Sequence, residues 1–157
     1  MPTYRIHIIG GLASFGACYQ VLQTWAPTLP LTWHHWATFG ALAVLGSIFP
    51  DIDVKSNMQK IFYGCMVLAL PVAYYVNFKA FMILAILSGT FLILRHRGIT
   101  HQAWFLIAMP LALGGYLVSQ HAHQAELIFP GCLFFSVGGL SHILLDRISA
   151  HFSRKKR

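Results

Sequence analysis

The chain has 157 residues, of which 57% are hydrophobic and 10% are charged. Soluble domains carry roughly 25% charged residues, so a mean hydropathy of +0.63 excludes an ordinary water-soluble globule and makes a bilayer the solvent. The net charge of +7 points to an anionic membrane surface, because the basic residues flank apolar runs instead of forming a basic patch; nucleic-acid binding is not expected.

Only helices and closed barrels satisfy their backbone groups in hydrocarbon. The apolar runs here are continuous, whereas barrel strands alternate. The expected fold is therefore all-α, a polytopic membrane helix bundle. It forms one domain over residues 1–150, followed by a basic tail over 151–157.

Six runs follow one another along the chain. Ile6–Trp25 opens behind Arg5, with His7 at its mouth. It lacks the basic n-region of a cleaved signal peptide, so none is expected. Ala26-Pro27-Thr28-Leu29-Pro30 turns the chain into Trp33–Phe49, which ends at Pro50-Asp51-Ile52-Asp53. Ile61–Val76 and Ala80–Leu94 are joined by Asn77-Phe78-Lys79. Ala103–Val118 follows the segment His96-Arg97-Gly98-Ile99-Thr100-His101, and Leu127–Leu145 precedes Asp146. A straight span needs roughly 20 residues, and the third to fifth runs fall short. The pattern fits six spans, or four spans with the third and fourth runs as a re-entrant pair. Cys18, Cys65 and Cys132 lie within apolar runs and read as buried small hydrophobes, not as a disulfide or metal framework.

Parity then assigns sides. The N-terminus, Pro50, Arg95, Asp146 and the C-terminus share one side of the membrane. Ten of the eleven Lys and Arg residues lie there, and Lys79 alone lies opposite. By the positive-inside rule that side, with both termini, is cytoplasmic.

The same side receives most of the metal-ligand chemistry. The chain has four acidic residues, Asp51, Asp53, Glu126 and Asp146. Three of them fall at this boundary, where a carboxylate is costly unless paired, coordinated or solvated. His7, His96, His101 and His142 arrive there as well. His142 and Asp146 are four apart, which puts them on one helical face a turn apart. The plain alternative for that pair is an i,i+4 hydrogen bond. Asp51 and Asp53 stand two apart in non-helical chain after Pro50, where a simple helix-terminal turn is the alternative. His96 and His101 would diverge by about 140° on one continuous helix, but Gly98 permits a turn that lets both converge.

His7, Asp51, Asp53, His96, His101, His142 and Asp146 thus form a candidate ligand set. Imidazole with carboxylate suits zinc, manganese or iron. Seven ligands exceed the four of a structural zinc and suit two or more ions, which activate water and clamp a transferring phosphoryl group. Arg97 is the candidate for holding phosphate oxygens. His34, His35, His121 and His123 lie on the opposite side with only Glu126 for a carboxylate, a poorer metal set. Trp25, Trp33 and Trp36 mark that interface.

Four blocks in this order resemble the YdjM-like family of bacterial inner-membrane proteins, also described as LexA-binding, inner-membrane-associated metal-dependent hydrolases. They are His7, Phe49-Pro50-Asp51-Ile52-Asp53, His96-Arg97-Gly98-Ile99-Thr100-His101, and Gly139-Leu140-Ser141-His142-Ile143-Leu144-Leu145-Asp146. Gln102 and Ser149 depart from the family's usual Ser and Thr, and neither departure removes a ligand. The resemblance implies a multi-pass address in the bacterial inner membrane and hydrolase activity. A fainter similarity, to zinc-dependent phospholipases C and single-strand nucleases, implies phosphoester hydrolysis. The expected partners are membrane lipids, with a lipid phosphate as substrate. The alternatives are a membrane anchor or regulator that binds a soluble protein at its cytoplasmic face, and a metal transporter.

Overall fold

A computed structural model of the chain describes residues 4–26, 31–53, 57–76, 78–93 and 99–155. Every described element is helical. Six α-helices run in order, α1 (Tyr4–Trp25), α2 (Trp33–Ile48), α3 (Asn57–Val76), α4 (Phe78–Ile93), α5 (Ala103–Gln120) and α6 (Ala125–Lys155). Short 3-10 turns cover Phe49–Asp53, Ile99–His101 and Ala122–Gln124. Each apolar run of the sequence becomes one helix. Two helices overshoot their runs furthest into polar chain. α3 begins at Asn57, ahead of Ile61, and α6 continues past Asp146 to Lys155. Helix formation needs no apolar side chains, and Gln, Lys and Arg are good helix formers.

The chain forms two compact units, Met1–Pro50 with His101–Arg157, and Asp51–Thr100. The second holds the α3–α4 hairpin, tied by the Tyr63 hydroxyl donating to the Ser88 carbonyl at 3.2 Å. Cys65 on α3 is exposed, not buried as its apolar run suggested.

The first unit contains the other four helices. α6 packs against α1, α2 and α5, and α1 also packs against α2. The short turn between α5 and α6 forces these two helices antiparallel. The centre of this unit is Phe39, Ala43 and Phe134, flanked by Phe15, Cys18, Trp36 and Leu127. The Phe39 and Phe134 rings stack at 5.0 Å, and Phe15 tilts against Phe134 at 5.6 Å. Toward α5, the Cys132 thiol donates to the Pro110 carbonyl at 3.0 Å.

Between α2 and α6 the backbones approach closely. A Cβ on Gly46 would overlap the carbonyl of Phe135, and one on Gly138 would overlap the carbonyl of Ala43. Lipid offers no hydrophobic drive between helices, so small residues that permit such backbone contact are how membrane helices associate.

The distribution of side chains is that of a protein in lipid. Large apolar groups face outward, such as Ile9 at 65% exposure and Leu144 at 58%, while His7, Ser47 and His142 are buried. In water so much exposed apolar surface would drive association. Two stretches, Ala103–Gln120 and Ala122–Phe152, are long and apolar enough to cross a bilayer.

Candidate metal centre

The first unit gathers ligand chemistry at one end. His7 stands near the start of α1, Ser47 is the penultimate residue of α2, and His101 ends the 3-10 turn two residues before α5. His142 and Asp146 lie on α6, one turn apart. The up-and-down run of the helices brings these chain positions together. Ligand atoms of His7, His142 and Asp146 all lie within 4.8 Å of one another.

His142 is fully buried, and its Nδ1 sits 2.7 Å from the backbone carbonyl of Ser47. A carbonyl can only accept, so Nδ1 carries the proton and donates. In the neutral ring the lone pair is therefore on Nε2. That Nε2 faces Oδ2 of Asp146 at 3.6 Å. His7, also buried, presents its Nε2 to Oδ1 of the same carboxylate at 3.7 Å. Both separations exceed the roughly 3.2 Å limit of an ordinary N–H···O bond. They lie at and just above the about 3.3–3.6 Å that separates two ligands about 2.0–2.2 Å from a shared tetrahedral cation. On His142 two acceptors, a lone pair and a carboxylate, face each other across this gap, an arrangement that a cation relieves. The donor set fits a divalent metal ion.

The surroundings fix this geometry. The His7 and His142 rings stack with centroids 3.8 Å apart and planes 19° from parallel. His101 meets His142 edge-on, with centroids 5.5 Å apart. The Ser47 hydroxyl turns back to donate to the Val44 carbonyl at 2.7 Å, which leaves the Ser47 carbonyl to His142. Pro50, three residues on, has no N–H, so a 3-10 ending cannot supply that carbonyl's usual i+3 donor. A ligand imidazole held through its other nitrogen by a backbone carbonyl is a common outer-shell device of metal sites.

Ser47 was not in the sequence-derived set. Its contribution is a main-chain oxygen, which no residue type announces. The only signal was Pro50 placed just after a Gly-Ser helix end. Of the remaining candidates, Asp51 lies in the 3-10 turn after α2, within the second unit. Asp53 closes that turn, and its side chain lies outside the described residues. His96 and Arg97 also lie outside them. His34, His35, His121 and His123 do not enter any metal-type cluster among the described residues. His35 instead accepts the Thr32 N–H at 3.0 Å as part of the α2 cap, and the His34 ring lies against Trp33.

No curated protein and no solved structure is significantly similar to this chain. A family model described as YdjM inner membrane protein matches residues 1–151. The match runs from the first residue to beyond Asp146 and takes in every block that carried the sequence resemblance, so the chain belongs to the YdjM family of inner membrane proteins.

Proposed function

We propose that this protein is a metal-dependent hydrolase that cleaves a phosphoester of a membrane lipid at the cytoplasmic interface. The carrying observation is one carboxylate, Asp146, set between two buried imidazoles at 3.6 and 3.7 Å, with His142 held in a ligand-ready tautomer by the Ser47 carbonyl. Zinc suits this donor set, as do manganese and iron. Cations bound there would polarise a phosphoester and make water a stronger acid. His7, His142 and Asp146 would hold the ions, with His101 beside them. Asp51, Asp53 and His96 are further ligands from the sequence, and Arg97 would orient phosphate oxygens through its permanent charge.

Depth and surroundings favour a lipid substrate. His142 lies about 26 Å along α6 from Ala125, at about 1.5 Å per residue. That is near the far boundary of a hydrocarbon layer about 30 Å thick. With ten of eleven basic residues on this side, both termini are cytoplasmic and the protein is multi-pass, with α3 and α4 as two spans or a re-entrant pair. Ile6, Leu144 and Ile148 are exposed apolar neighbours on α1 and α6, so an amphiphile can reach the site from the bilayer. A transporter would set its ligands near the midplane; His7 and Ser47 sit at helix ends instead.

The test is phosphate release from lipid phosphomonoesters and phosphodiesters by the purified protein in nanodiscs. Activity should vanish with a chelator, return with zinc or manganese, and be absent in His142→Ala. Metal binding without hydrolysis of any lipid phosphate would refute the enzyme and leave an anchor or regulator.

A further inference from the structure

We infer that Asp146 bridges two divalent cations, one on Nε2 of His7 and one on Nε2 of His142. The inference rests on the metal-centre reading above and deepens it. Imidazole binds a cation along a lone pair that lies in the ring plane. The two rings here are stacked, 3.8 Å apart and only 19° from parallel. Their planes do not meet anywhere near the nitrogens. A single ion about 2.1 Å from both nitrogens would sit well out of each ring plane, far from either lone pair. Separate ions, each in the plane of its own ring, remove that misfit.

The carboxylate is arranged for the second alternative. His7 faces Oδ1 at 3.7 Å and His142 faces Oδ2 at 3.6 Å. Each ring therefore addresses its own oxygen, as the two arms of a bridging carboxylate require. Ions placed under rings stacked at this distance stand about 3.5–4 Å apart, the spacing of two-metal hydrolytic sites. The two halves are unequal. His142 has its tautomer fixed by the Ser47 carbonyl at 2.7 Å and has His101 beside it. Its ion should bind more tightly than the one on His7.

Titrating the metal-free protein in detergent with manganese tests this, reading ions per chain and the electron paramagnetic resonance spectrum. Wild type should take up two manganese ions in two steps and give a spin-coupled spectrum. His7→Ala should keep one tightly bound ion with the uncoupled six-line signal. His142→Ala should keep at most one, bound more weakly, and Asp146→Asn should abolish coupling. The wild-type spectrum decides the matter even where a variant fails to fold. One ion per chain, lost entirely in either histidine variant, would overturn the bridge and leave a single-metal site standing. Two uncoupled ions in wild type would overturn it as well. No uptake of manganese or zinc would overturn the metal centre itself, and the proposed function with it.

Discussion

Gly46→Ala probes the link between helix packing and the metal centre. The added methyl would overlap the Phe135 carbonyl, a backbone atom that cannot rotate away. Restoring ordinary contact requires α2 to withdraw from α6 by about 1 Å or more, and overpacking of this kind costs about 1–3 kcal/mol. Ser47 is the next residue on α2, so its carbonyl retreats with the helix. The 2.7 Å bond to His142 would then stretch past hydrogen-bond range. Leaving a buried donor without its acceptor costs about 1–3 kcal/mol more. Loss of such an outer-shell partner lowers metal affinity about 10–100-fold.

The control is Gly16→Ala, where a Cβ meets nothing within 4 Å. There the gain in helix propensity, about 0.5–1 kcal/mol, should hold or raise stability. Unfolding in a detergent titration reads the first effect, and competition with a chromophoric chelator reads the second. Gly46→Ala should lose both stability and metal affinity while Gly16→Ala loses neither. Wild-type metal affinity in a folded Gly46→Ala protein would refute the claim that the Ser47 carbonyl orients the ligand.

Three further outcomes are expected. Arg97→Ala should keep full metal content and lose turnover, because a guanidinium binds no cation but stabilises phosphate charge; loss of metal in this variant would contradict that role. Single cysteines placed at residues 1, 54 and 157 should be labelled only from the cytoplasmic side, in a background lacking Cys18, Cys65 and Cys132, and periplasmic labelling at any of them would break the topology. Phe134→Ala should destabilise the protein by about 3–5 kcal/mol, read by thermal unfolding in detergent, since its buried ring touches both Phe39 and Phe15; an unchanged midpoint would mean that this aromatic stack is not the centre of the unit.

How much of this was legible in the sequence follows from what sequence patterns measure. Hydropathy locates the lipid, and it placed all six helices. It does not locate helix ends, which is why α6 runs to Lys155 through Arg147 and Arg154, well beyond the last apolar residue of its run. Parity was more informative than any single motif. A chain read as crossing and returning with each apolar run is expected to put the start of α1, the end of α2, the start of α5 and the end of α6 on one side. That condition alone makes His7, His101, His142 and Asp146 neighbours in depth. The helical period then aims His142 and Asp146 together. Lateral placement is a different kind of information. Whether His7 stacks on His142 depends on how closely α1 approaches α6 and α2, where a Cβ on Gly10 would overlap Leu145 and one on Gly11 would overlap Ser47, while Gly46 and Gly138 let α2 lie against α6 and carry the Ser47 carbonyl to His142. A residue that acts by having no side chain, and another that acts through its main chain, carry no ligand signature. The histidines and aspartates state which chemistry the site can do, and the glycines on the neighbouring faces decide whether those groups meet.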